Sequence, residues 1–308
     1  MAEFTEITTG LRFPEGPVAM LDGSIVLVEM FGPRVTRVRP DGSKETIAEI
    51  PGGPNGAAIG PDGALYLCNN GGAFTPVEFG ELLLPGPFDP AAYIGGRIQR
   101  LDLATGVVTD LYTECDGRPL RAPNDLVFDA FGGFYFTDHG IRDEHSRTSD
   151  LSGIYYAMPD GSSITEVVFP TEAPNGVGLS PDGNVLYWAE THNGRVFRRT
   201  VEAPGVITPA GPGDTSVCLH GFAGLQLLDS LAVDGAGNVC VATLVNGGIS
   251  VVAPDGTLLD HVATGDLLTT NICFGGPDHG TAFITCSGTG KLISMPWAYP
   301  GLQLAHEA

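Results

Sequence analysis

Residues 121–138 read RAPNDLVFDAFGGFYFTD. Two short runs rich in β-branched and aromatic residues, PNDLVF and FYFTD, flank a turn that holds Gly132 and Gly133. That is the pattern of an antiparallel hairpin. The same hairpin returns along the chain in LDGSIVLVE (21–29), PDGALYLCN (61–69), PDGNVLYWAE (181–190), GAGNVCVAT (235–243) and PDHGTAFITC (277–286). The turn glycines Gly23, Gly63, Gly132, Gly183, Gly237 and Gly280 are spaced by 40, 69, 51, 54 and 43 residues. A repeat of about 40 to 50 residues suits one four-stranded propeller blade. Further short strands follow most hairpins, such as GRIQRLD then VVTDLY, and no long stretch carries a helical period. The expected fold is all-β: one domain over residues 1–308, a six-bladed β-propeller of four-stranded antiparallel blades. The long interval holds a lid-like insertion at about 71–95.

Counting back from each turn glycine finds a polar residue at a fixed place. Glu15, Asn55, Asn124, Asn175 and Asp229 each stand eight residues before their glycine. Asn271 stands nine before Gly280, where the turn is one residue longer. Asn and Asp favour turns on their own account because they bond nearby backbone. A single Pro-Asn-Gly therefore says little, whereas six oxygen-bearing residues in one register point to a shared role. The position opens the innermost strand of each blade, so the six should form a ring at one end of the central channel. Carboxylate and amide oxygens are hard ligands, suited to Ca²⁺, Mg²⁺ or Mn²⁺ rather than to a zinc bound by Cys and His. One divalent ion is expected, Ca²⁺ first, with Mg²⁺, Mn²⁺ or Zn²⁺ as alternatives.

The loop after each second strand returns to the ring end. Two of these loops are long. The first, within 69–96, carries Phe74 and Phe79 among several apolar residues and suits a lid over a ligand or a packed patch. The second, 138–152, carries His139, Arg142, Asp143, Glu144 and His145. His139 and His192 are rim candidates for substrate contact, as are Phe74 and Phe79, while Asn55 and Asn271 line the cavity. Glu29, Asp138 and Glu190 end second strands and read as structural.

Composition narrows the function classes. The chain carries 15 Lys plus Arg against 36 Asp plus Glu, a net charge of −21. That balance argues against nucleic acid and against an anionic membrane surface as partners. The six cysteines form no Cys-x-x-Cys, and four of them (Cys68, Cys240, Cys273 and Cys286) fall in apolar strand-like runs, which suits buried free thiols. Neither a signal-peptide pattern nor an apolar run of about 18 residues is seen, and the expected location is cytoplasmic. No Gly-x-Ser-x-Gly elbow or nucleotide-binding glycine loop occurs.

Taken together, FPEGPV (13–18), RAPNDLVFDAFGGFYFTD (121–138), APNGVGLSPDGNVLYWAETHNGRVFR (173–198), LDSLAVDGAGNVCVAT (228–243) and TTNICFGGPDHGTAFIT (269–285) resemble the senescence marker protein, gluconolactonase and regucalcin family. The resemblance implies a propeller with one catalytic divalent metal. By motif its ligands fall on Glu15, Asn124, Asn175 and Asp229. It also implies hydrolysis of a small-molecule lactone, with the metal polarising the carbonyl and Asp229 as general base. One departure is Leu228-Asp229-Ser230, where many relatives carry Pro-Asp-Gly. Two other readings use the same residues: a phosphotriesterase-like hydrolase on the same metal, and a non-catalytic calcium-binding propeller. The apolar lid favours a less polar lactone over a sugar lactone.

Overall fold

The computed structural model describes residues 3–308. Each hairpin read from the sequence forms the inner pair of one antiparallel sheet, and six such sheets make the blades of a propeller. The inner strands are Pro14–Ala19, Pro54–Ile59, Pro123–Phe128, Pro174–Leu179, Leu227–Val233 and Thr269–Gly275. Each packs on the next in cyclic order, and the last packs on the first. Within the first five blades the strands run outward in chain order, each antiparallel to its neighbour.

The ring closes through a strand that the sequence reading did not place. Thr5–Thr8 comes first in the described chain, yet it pairs with Lys291–Pro296 as the outermost strand of the sixth blade. Both chain ends thus build one sheet, and opening the ring requires breaking that ladder.

Turn chemistry at the far end follows the sequence. Asp22, Asp62, Asp129, Asp182 and Asp234 each accept a bond from the backbone N–H two residues on, at 2.8 to 3.2 Å. The turn glycines Gly23, Gly63, Gly132, Gly183 and Gly237 sit at positive φ, from 70° at Gly183 to 91° at Gly132, where a side chain is disfavoured. The sixth turn differs. There the positive-φ residues are Gly276 (84°) and His279 (55°), and Gly280 is not left-handed. The extra residue moves the sharp bends to the two ends of the turn.

The core lies between blades. Strands such as Ile25–Glu29, Leu65–Asn69 and Phe134–Asp138 are buried along their whole length because sheets pack on both faces. Tyr66, Phe128, Phe134 and Phe136 fill the space between the second and third blades, with Tyr66 edge-on to Phe128 at 5.1 Å. At about 25 cal/mol per Å² of apolar surface, such interfaces supply most of the folding drive. All six cysteines are free. Among the described residues the one helical element is a 3₁₀ turn, Thr215–Val217, and no helix is long and apolar enough to cross a membrane.

Candidate active site

The six ring residues all sit in the first three positions of an inner strand, and each is only 2% to 8% exposed. At or beside every one the antiparallel register breaks: between Glu15 and Val18, Pro54 and Ala57, Pro123 and Leu126, Pro174 and Val177, Leu228 and Leu231, and Thr269 and Asn271. Such an irregularity unpairs a residue and re-aims its side chain, here at the mouth of the channel. Just beyond the ring the backbones touch. A Cβ added to Gly56 would lie 2.5 Å from the Asn124 carbonyl, and one added to Gly176 would lie 2.4 Å from the Leu231 nitrogen. These glycines let neighbouring blades close tightly enough for the polar side chains to converge.

Glu15, Asn55, Asn124, Asn175 and Asp229 together floor a cavity of about 430 Å³. Asn271 does not line it. Its Nδ2 instead donates to Glu15 Oε2 at 3.4 Å, and its Oδ1 accepts from the Ile272 nitrogen at 2.8 Å. Asn175 Nδ2 donates to Thr191 Oγ1 at 3.1 Å. Asn55 Nδ2 faces Met30 Sδ at 3.9 Å. The Oδ1 atoms of Asn55 and Asn124 are buried with no hydrogen-bond partner, a costly state for amide oxygens.

The carboxylates are equally uncomfortable. Burial, and then the charge of Asp229, push Glu15 well above the usual carboxylate range. Burial pushes Asp229 up to about 7, with the Asn175 amide acting the other way and Asp125 adding to the rise. Asp125 is a third buried acid that the sequence reading did not single out. Burial raises it to about 7 against hydrogen bonds from Leu126 and Ser230. The signal was present in Pro123-Asn124-Asp125, where the first, second and fourth blades carry glycine after the ring residue.

This donor set fits a hard divalent cation. It has two carboxylates that repel each other without a counter-charge and amide oxygens with nothing to accept. Among the described residues no three His, Cys, Asp or Glu side chains converge as a metal cluster, so amide oxygens would have to take part alongside the two carboxylates. Glu15, Asn124, Asn175 and Asp229 are the residues that could hold the ion.

The walls come from the loops expected. The insertion forms a hairpin, Pro76–Phe79 with Leu82–Pro85, which leaves the second blade and reaches the sixth, where Leu83 N bonds Gly288 O at 2.9 Å. Leu83 packs with Phe13 and Met30, and Phe74 and Leu268 border that cluster. On the other side Phe88 and Tyr93 pack on Ala122 and Ile141 of the third blade, and Tyr93 Oη donates to Arg121 O at 2.5 Å. The insertion therefore spans the mouth. Phe74 lines the cavity; Phe79 is 70% exposed on the hairpin and does not.

His139 and His192 both line the cavity, edge-on to each other at 5.7 Å. Burial, and then His192, bring His139 down to about 4, so its imidazole is neutral near pH 7. Glu29, Asp138 and Glu190 serve the scaffold. Asp138, for example, accepts from the nitrogens of Arg121, Ala122 and Gly140 at 2.7 to 3.0 Å and so fixes the segment that enters the inner strand. Met30, Thr191, Leu227, Leu244 and Leu268 also line the cavity. The sequence reading missed them as site residues because the four apolar ones read as core and a single loop threonine such as Thr191 carries no signal of its own.

Residues 13–288 match the SMP-30/Gluconolactonase/LRE-like region. The chain belongs to this family. Curated relatives include Lactonase drp35 of Staphylococcus haemolyticus, 31% identical over 246 residues, which are 77% of this chain and 65% of the relative. Lactonase drp35 of Staphylococcus epidermidis is 28% identical over 239 residues, 75% of this chain and 63% of the relative. The chain thus spans just under two thirds of the length of these relatives. Among solved structures, a gluconolactonase from Xanthomonas campestris superposes with a TM-score of 0.75 at 23% identity, covering 96% of this chain and 89% of that one. A calcium-binding protein, regucalcin, from Agrobacterium tumefaciens does so at 0.74 and 18%, covering 99% and 97%. At these identities the likeness is one of fold. The SMP-30 region takes in all six ring residues.

Proposed function

We propose that this protein is a divalent-metal-dependent lactonase, with calcium as the ion its ligands suit best. The observation that carries the reading is the floor of the cavity: two mutually repelling buried carboxylates beside amide oxygens that lack partners. Membership of a family with lactonase-named relatives supports the reaction class.

Glu15, Asn124, Asn175 and Asp229 would hold the ion. When bound, it supplies counter-charge to the carboxylates and electrophilic polarisation of a carbonyl oxygen. The chain's own groups do the rest. The apolar side chains over the floor, Phe13, Met30, Phe74, Leu244 and Leu268, hold the body of the lactone and exclude bulk water. Asp229 is the general base. It takes a proton from the attacking water as the water oxygen bonds to the carbonyl carbon. The ring C–O bond then breaks, and the same proton passes to the departing alkoxide, giving the open hydroxy acid. The apolar upper wall supports a lactone with an apolar body. The substrate is a small molecule, and cytoplasmic residence fits the free cysteines.

The test is a panel of sugar and aliphatic lactones, assayed with chelated protein and after restoring Ca²⁺, Mg²⁺, Mn²⁺ or Zn²⁺. Metal-dependent turnover that favours the aliphatic members is expected. Metal binding with no lactone cleaved refutes the lactonase reading and moves attention to phosphotriesters.

A further inference from the structure

The cavity above the floor has two unlike sides. The first, second, fifth and sixth blades present Phe13, Met30, Phe74, Leu227, Leu244 and Leu268. The third and fourth present His139, Arg142, Glu144, Thr191 and His192 beside one apolar residue, Ile141, and His139 is only 8% exposed. His139 Nδ1 lies 3.2 Å from the Gly140 carbonyl oxygen. A carbonyl only accepts, so the proton sits on Nδ1 and Nε2 carries a lone pair. That Nε2 has no hydrogen-bond partner among the described residues, and it is not sealed away from the cavity. The ring cannot easily turn aside. Phe74 meets it edge-on at 5.6 Å and His192 at 5.7 Å, and its backbone nitrogen is tied to Ala122 O at 2.9 Å. Thr191, the nearby hydroxyl, is engaged by the Asn175 amide. An acceptor held in place by its neighbours thus shares the cavity with a set of apolar side chains.

We propose that His139 is a specificity-determining residue whose Nε2 accepts a hydrogen bond from a hydroxyl of the substrate, so that the preferred lactone carries a hydroxyl on one side and an alkyl or aryl substituent on the other. The inference rests on the lactonase reading and narrows it to an amphipathic lactone. Burial holds the imidazole neutral, which keeps the lone pair available near pH 7. A hydroxyl that enters this cavity gives up water, and the acceptor waiting there replaces it. A lactone without the hydroxyl leaves Nε2 facing an apolar substituent.

The experiment compares two alkyl-substituted lactones that differ only in one ring hydroxyl, with wild type, His139→Phe and His139→Gln. Phe keeps a ring against Phe74 and removes the acceptor; Gln returns an acceptor on a flexible chain. In wild type the kcat/KM ratio of hydroxylated to deoxy lactone is expected to be about ten. In His139→Phe the ratio should fall to about one, whatever the absolute rates, and His139→Gln should recover part of it. A wild-type ratio near one, or a ratio unchanged in His139→Phe, overturns the inference. The matched lactams, which resist hydrolysis, are titrated calorimetrically into wild type in parallel. If neither lactone is cleaved, the lactonase reading fails by itself. About tenfold tighter binding of the hydroxylated lactam would then still support His139 as the acceptor, and equal binding would overturn it.

Discussion

Replacing Asp229 with Asn should stabilise the metal-free protein while destroying its activity. Asp229 is buried, and its carboxyl is pushed from an ordinary value of 3.8 up to about 7. A folded-state pKa above the unfolded one means that the folded chain binds more protons. Its stability contribution is therefore present below about pH 4 and lost as pH rises through about 7. Three units at about 1.4 kcal/mol each make a penalty of about 4 kcal/mol at pH 8, and about 2 kcal/mol at pH 5. Asn keeps the shape and removes the charge. His139 and His192, whose pKa values are lowered, act in the opposite direction with pH, and they cancel when wild type and variant are compared at the same pH. With an unfolding entropy of about 0.65 kcal/mol/K for a chain of this length, 4 kcal/mol is about 6 °C in Tm. The assay is calorimetric unfolding in EDTA at pH 8 and pH 5, then in excess Ca²⁺. In EDTA, Asp229→Asn should melt higher than wild type, more so at pH 8 than at pH 5. In calcium the order should reverse, because wild type gains binding free energy that the variant lacks. A variant that melts below wild type in EDTA at pH 8 refutes the reasoning, since the charge would then be satisfied by the protein alone.

Other predictions follow from single contacts. Gly56→Ala places a methyl group 2.5 Å from the Asn124 carbonyl; it should cost about 1 to 3 kcal/mol by thermal unfolding and weaken metal binding in the same samples. Leu83→Ser unpins the insertion from Phe13 and Met30, and steady-state kinetics should show a KM for an alkyl lactone several-fold higher with a smaller change in kcat. Removing residues up to Thr9 deletes the strand paired with Lys291–Pro296; the exposed edge should lower Tm and promote association, read by light scattering.

The fold was legible because its units repeat: a glycine turn, a short apolar strand and an oxygen-bearing residue at one offset. The same offset marks Glu15, Asn55, Asn124, Asn175 and Asp229, which the structure places together on the cavity floor. Asn271 obeyed the register, yet it turned to bond Glu15, because side-chain direction in the longest-turned blade is set by local register and not by count. The Thr5–Thr8 strand was invisible since four residues reading TEIT carry no apolar alternation. Its pairing is decided by the free edge left at the other end of the chain. Phe79 was expected at the rim for its hydrophobicity, but the hairpin presents Leu83 inward and Phe79 outward. That choice depends on hairpin register, which a loop without alternation does not encode.

The most direct test of the account is the rate of alkyl-lactone hydrolysis by chelated protein as Ca²⁺ is added back against a known protein concentration. Turnover should be negligible without metal, rise to saturation at one ion per chain, and not recover in Asp229→Asn. Full activity in the chelated protein, or activity in Asp229→Asn equal to wild type, would contradict it.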